Sequence, residues 1–183
     1  MTSEANPWRD WIGRTERRSD LVTPAPLAML SATLDRDDPE PMPGSEVPPL
    51  WHWLYFLPVA RQSEIGPDGH PKRGGFLPPV PQPRRMWAGG RLTFERALIV
   101  GDEITRVSRI VDVSVKDGRS GRLVTLRVSR RALVEFQATP TTGSSMRRIR
   151  FTVFSTRNFA SHFMAVRANS PSAGTPIDVF CPS

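Results

Sequence analysis

The chain has 183 residues, 38% of them hydrophobic, with a mean hydropathy of −0.34, which fits one soluble domain or one domain with an appendage. Its formal charge of +7 is unevenly spread, since residues 1–125 carry 17 Lys and Arg against 16 Asp and Glu while residues 126–183 carry 8 against 2; the near-neutral main body argues against nucleic acid as its partner. No apolar run approaches about 18 residues and no charged leader precedes an apolar centre, so neither a membrane span nor a signal peptide is expected, and the cytoplasm is the expected compartment. Cys181 stands alone and His52, His70 and His162 lie far apart, which excludes an internal disulfide framework and leaves no metal site and no cofactor expected.

In chain order, Trp8-Arg-Asp-Trp-Ile-Gly-Arg14 predicts a short amphipathic turn that docks two tryptophans on a core. Thr23 is a candidate N-cap, with Pro24 and Pro26 in the first turn of a helix and Leu27, Leu30, Ala32 and Leu34 at roughly helical spacing. The acidic, proline-broken residues 36–49 then predict a loop. Trp51 to Leu57 reads as a strand with aromatics on both faces. Met86 to Phe94 and the β-branched run from Gly101 to Val115 read as further strands. Lys116-Asp-Gly-Arg-Ser-Gly121 predicts a hairpin turn, with Leu123 to Val128 returning as the partner strand. One helix before a series of antiparallel strands indicates an α+β domain whose sheet curls around the helix.

The segment from Ile65 to Leu92 is the most distinctive. Pro67, Pro71, Pro78, Pro79, Pro81 and Pro83 each remove a backbone donor, so no helix or interior strand can run through it. A structureless connection of this length inside a domain is usually functional or disordered, and the flanking aromatics give this one something to pack on. Its cations Lys72, Arg73, Arg84 and Arg85, with Trp87 beside them, are the candidate substrate-binding residues, because guanidinium groups suit the phosphates of a carrier such as coenzyme A. Asp68 and Asp102 read as turn residues, His70 likewise, and His52 as a strand histidine. Trp51, Trp53, Tyr55 and Phe56 fit either core or an acyl pocket.

Taken together, Pro48-Pro-Leu-Trp-His-Trp-Leu-Tyr-Phe56, Gly66-Pro-Asp-Gly-His-Pro-Lys-Arg-Gly-Gly-Phe-Leu-Pro-Pro-Val80, Pro83-Arg-Arg-Met-Trp-Ala-Gly-Gly90 and Ser108-Arg-Ile-Val-Asp-Val-Ser-Val-Lys-Asp-Gly-Arg-Ser-Gly121 resemble the N-terminal half of MaoC-like dehydratases. The subgroup is that of mesaconyl-C4-CoA and itaconyl-CoA hydratases and related 3-hydroxyacyl-thioester dehydratases, and the likeness runs from about Trp8 to Val124. It implies a hotdog fold, an antiparallel sheet wrapped around a central helix, and a hydro-lyase that reversibly adds water to enoyl thioesters carried on coenzyme A or an acyl carrier. The resemblance places the catalytic Asp/His pair in a second hotdog half, so no residue here is expected to be catalytic and little turnover is expected from this chain alone. A homodimer or a partner hotdog subunit follows as an expectation; the alternative is a non-catalytic hotdog scaffold paired with a separate catalytic subunit.

The domain reading is therefore residues 1–135 as the hotdog domain and 136–183 as a divergent, irregular Arg/Ser-rich tail. Residues 126–183 hold arginine but no lysine and 14 Ser and Thr, a bias that out-of-frame translation of a GC-rich gene would produce. Met146 to Ser155 alternates apolar and polar residues and could supply a last edge strand. His162 is read as incidental, the nearest downstream carboxylate being Asp178.

Overall fold

The computed structural model describes residues 6–85, 87, 89–118 and 121–134, together with the backbone of 147–155 and 176–180. Six strands, β1 (Thr15–Leu21), β2 (Gly89–Phe94), β3 (Glu103–Gly118), β4 (Gly121–Val134), β5 (Arg147–Ser155) and β6 (Pro176–Phe180), form one sheet in the order β1-β3-β4-β5-β2-β6. Every pairing in it is antiparallel. The one α-helix among the described residues, α1 (Pro24–Thr33), lies between β1 and β2 in sequence. Thr23 caps it with extended backbone but without a side-chain hydrogen bond, and Pro24 needs no donor in the first turn. Leu34 and Asp35 end it, the latter at φ 51°.

The long hairpin β3–β4 positions the rest. Its register shifts between Ile110 and Asp112, and this bulge changes which residues face inward. Ile104, Arg106, Ser108 and Ile110 share the inner face before it, and Val113 takes over after it; opposite them on β4 stand Val134, Ala132, Arg130, Val128 and Leu126. Two apolar clusters result. One gathers Leu27 of α1, Val22, Val47, Tyr55, Phe56, Leu92, Leu98, Val100, Ile104, Ala132 and Val134; the other is Ile110, Val113 and Val128, with Trp8, Trp11 and Phe76 packed on it. The two N-terminal tryptophans dock as the sequence predicts, on a short turn at Arg9–Trp11.

Two expectations are corrected. Trp51–Leu54 is a 3-10 turn rather than a strand: Leu50 takes φ 74°, and Trp53 N–H and Tyr55 N–H donate back to the Leu50 and His52 carbonyls. Prolines at 48, 49 and 58 deny this segment the donors a ladder needs, and tight turning instead drives Tyr55 and Phe56 into the core. The second concerns residues 136–183, which are not wholly irregular, because β5 and β6 come from them. Moreover β5 is no edge strand; it pairs with β4 on one side and β2 on the other. His162 and Cys181 lie outside the described residues.

Candidate functional site

The proline-rich segment crosses the inner face of β4. Its order comes from a salt-bridged clip rather than from regular structure. Arg85 donates from Nε and Nη2 to the two oxygens of Asp68 (2.8 and 3.2 Å) and from Nη2 to the Pro71 carbonyl (2.7 Å). Arg73 reaches Asp68 at 3.3 Å and donates from Nη1 to the carbonyls of Val80 (2.7 Å) and Gln82. Proline removes donors but leaves carbonyls, and the two guanidiniums supply what those carbonyls lack. A Cβ at Gly66 would crowd this corner, standing 3.1 Å from Asp68 Oδ1 and 3.5 Å from the His70 carbonyl. At its outer end the loop is tied to the N-terminus by Arg14 Nη1, which donates to the Gly75 carbonyl (3.0 Å), and Phe76 anchors it on the second cluster.

Between loop and strand lies a slot of about 320 Å³, walled by Leu77, Pro78, Val80 and Trp87 on one side and Leu126, Val128 and Arg130 on the other, with His70, Arg73 and Arg85 at its margin. That volume is at the small end of ligand sites, and the mixture of apolar walls with a few polar groups is typical of them. A second hollow of about 450 Å³ opens on the opposite sheet face, lined in part by Ile12, Val107, Arg109 and Arg131. It is larger, but none of the loop residues reaches it.

Of the five residues proposed from sequence, the structure brings Arg73, Arg85 and Trp87 to the slot, while Lys72 and Arg84 are exposed. Asp68 is more than a turn residue. Hydrogen bonds from Arg85 above all hold its carboxyl down at about 2, so it is a fixed anion near neutral pH and no proton carrier for His70. Trp51, Trp53, Tyr55 and Phe56 do not line the slot. Tyr55 instead donates its hydroxyl to the Thr23 carbonyl (2.8 Å), and burial pushes that hydroxyl up to about 12. Arg130 is the residue that sequence reading missed, having been counted only in the charge balance of residues 126–183. Its signal was positional: it occupies the inward register of Leu126, Val128, Ala132 and Val134, where an arginine is out of place unless it has work to do.

His52 is buried near the same region, and desolvation first, then the charges of Arg106 and Arg130, lower its pKa to about 3. It is neutral in the fold and becomes charged below about 6.5 when unfolded, so its contribution to stability is complete above that pH and is lost as pH falls toward 3. We expect the urea midpoint to drop between pH 6.5 and 5, at up to about 1.4 kcal/mol per pH unit, and the slope to vanish in His52→Gln. The depressed carboxyls of Asp38 and Asp68, both at about 2, act only at lower pH. A midpoint constant from pH 7 to 5 would contradict this environment for His52.

The sequence pattern of one protein family, hydroxyacyl-thioester dehydratase type 2, matches residues 50–179, which covers the loop, the slot and β2 to β5. The chain belongs to this family. The match continues through residues 126–179, beyond the point where the motif resemblance ends. The mesaconyl-C(4)-CoA hydratase of Chloroflexus aurantiacus is 47% identical over 121 residues, covering 66% of this chain and 43% of that protein. The chain thus spans less than half the length of this curated relative. In this family member no helix among the described residues is long and apolar enough to cross a membrane.

Proposed function

We propose that the chain is an acyl-thioester hydratase/dehydratase component that holds the acyl part of an enoyl thioester, such as a coenzyme A ester, in the slot between the loop and β4. The observation that carries this is the position of the slot: its walls are built from the family-matched segment, and its volume of about 320 Å³ suits a short acyl chain. Trp87 and the apolar side chains would flank the chain, Arg73 and Arg85 would hold the wall in place through Asp68, and exposed Lys72 and Arg84 would be free to meet phosphates of the carrier. The strand order β1-β3-β4-β5-β2, with α1 between β1 and β2 and Leu27 on the core, supports a hotdog fold.

Hydration needs an acid–base pair beside the double bond and donors for the thioester oxygen. On this reading the Asp/His pair comes from a second hotdog half, and the assembly works in the cytoplasm. The relative's name points to mesaconyl thioesters as the first substrates to try. Isothermal titration of the chain with mesaconyl-CoA and crotonyl-CoA tests the proposal, with saturable one-site binding expected for at least one. No binding of either thioester would overturn it.

A further inference from the structure

Away from the slot, the outer face of the sheet carries cations that the fold leaves unanswered. Side chains alternate across a strand, and the register sets Arg17 of β1 and Arg131 of β4 on either side of Val107 of β3, with Arg109 one step along the same face between Thr15 and Ser129. All three arginines are exposed, and none forms an ion pair among the described residues. Glu16 of β1 belongs to the other face, where it accepts from Arg18 Nη2 at 3.0 Å. Asp112 of β3 stands opposite Arg127 by register. Arg109 and Arg131 line the hollow of about 450 Å³, together with Ile12 and Val111, two apolar residues left exposed.

The opposite pattern stands on the connector from Asp35 to Glu46, which holds five acids against one arginine. That arginine, Arg36, is taken by Asp38 (2.7 Å), which also accepts from the Ser31 hydroxyl (2.9 Å). Asp35, Asp37, Glu40 and Glu46 are exposed and have no ion pair among the described residues. Beside them Leu34 and Met42 are 54% and 65% exposed, so the segment offers apolar contact as well as charge. Within one chain the sheet stands between the two surfaces. The connector leaves α1, which packs Leu27 on the inner-face core, and its far end is held where Gly44 N–H and Val47 N–H donate to the Val100 and Leu98 carbonyls.

We infer that the outer face of β1, β3 and β4 receives the acidic connector of a second copy of this chain, its carboxylates meeting Arg17, Arg109 and Arg131 and its Met42 covering Ile12 and Val111. Potentials across an interface are complementary, and guanidinium groups pair with carboxylates through two parallel bonds. Two such faces cannot pack on each other, because arginine would oppose arginine. The contact is therefore head-to-tail: each copy gives one connector and receives another, and association extends beyond a dimer. The connector supplies twelve residues, fewer than the roughly 20–30 a side of a stable interface, so the association is weak and is screened by salt. It does not depend on what the slot holds.

Sedimentation velocity of the full chain tests it, over about 10–500 μM protein in about 0.05 M and about 0.5 M salt. For the wild type the sedimentation coefficient is expected to climb with concentration at low salt, and the higher salt to weaken association at least about ten-fold. Arg109→Gln with Arg131→Gln removes receiving charges, and Asp37→Asn with Glu40→Gln removes giving ones; each double variant alone is expected to lose the salt-sensitive step. Mixed one to one, the two are expected to regain it and to stop at one added copy, because only one intact pair of surfaces remains between them. Where a variant fails to fold, oxidative footprinting of the wild type at the two ends of the concentration series takes its place, with Met42 and Ile12 expected to be protected together. A wild type that keeps one mass throughout the series would overturn the inference and leave the face to an acidic partner other than this chain. A salt-sensitive step that survives in either double variant would overturn it too, as would a mixture that stays unassociated, or footprinting in which Met42 or Ile12 remains unprotected.

Discussion

Replacing Asp68 with asparagine is expected to make the loop between Gly66 and Trp87 markedly more open to trypsin, which can cut at Lys72, Arg73, Arg84 and Arg85. The substitution keeps the shape of the side chain but removes the charge that Arg73 and Arg85 share, with side chains only 13% and 22% exposed. Breaking a fully buried pair by removing one partner costs about 3–5 kcal/mol, and partial solvent access at Arg85 lowers that figure. We therefore expect the opening free energy of the loop to fall by about 2–3 kcal/mol, which is roughly a 30- to 150-fold rise in cleavage rate when opening is fast relative to cutting. Both guanidiniums would also lose their fixed orientation, so the carbonyls of Pro71, Val80 and Gln82 would lose donors that no neighbouring proline can replace. Cleavage at the wild-type rate would show that the clip does not hold the loop.

The other large effect is on global stability. Ile110 is fully buried at 0% exposure, in the cluster that Trp8, Trp11 and Phe76 pack on. Truncation to alanine would leave a cavity between the sheet and the tryptophan turn, and its expected cost is about 2–4 kcal/mol, the usual range for a buried aliphatic residue whose surroundings relax only in part. Urea unfolding measures it. Tryptophan emission is a suitable probe, because Trp8 and Trp11 would report the loosened contact directly. Val59→Ala is the control: Val59 is 100% exposed, and its truncation should change stability by no more than about 0.5 kcal/mol. A loss below about 1 kcal/mol at Ile110 would mean that the second cluster is not a structural core.

The elements most legible in the sequence were those whose signal is local. The proline-led helix at Pro24, the β-branched run of β3 and the docking tryptophans all declare themselves through neighbouring residues, and they stand where local physics puts them; the hairpin after Lys116 forms as well, though Asp117 and Gly118 belong to its ladder rather than to its turn. Trp51–Leu54 misled because aromatic residues raise strand propensity while the prolines around them withhold ladder donors. The interior place of β5 was not legible for a different reason: which strands an alternating segment lies between depends on sheet closure over long sequence distances.

The candidate site divides in the same way. Composition identified the loop and its cations, and likeness to a family supplied a chemistry for it. What composition could not say is which cations are satisfied by the protein itself. Arg73 and Arg85 were read as ligand-binding residues, yet their partners are Asp68 and loop carbonyls, a set fixed by tertiary geometry. Arg130, in contrast, looked like one more charge in a basic stretch, and only strand register turns it inward beneath the loop. Net charge is a property of composition; unpaired charge is a property of the fold.

The most direct test of the central claim, that the slot between loop and β4 holds the acyl thioester, is hydrogen–deuterium exchange with and without saturating crotonyl-CoA. The structure predicts slowed exchange in peptides covering residues 70–85, where few backbone amides are committed to regular structure, with little change around Ile12 and Thr15 on the opposite sheet face. Unchanged exchange in the loop at saturation, or protection confined to the opposite face, would contradict it.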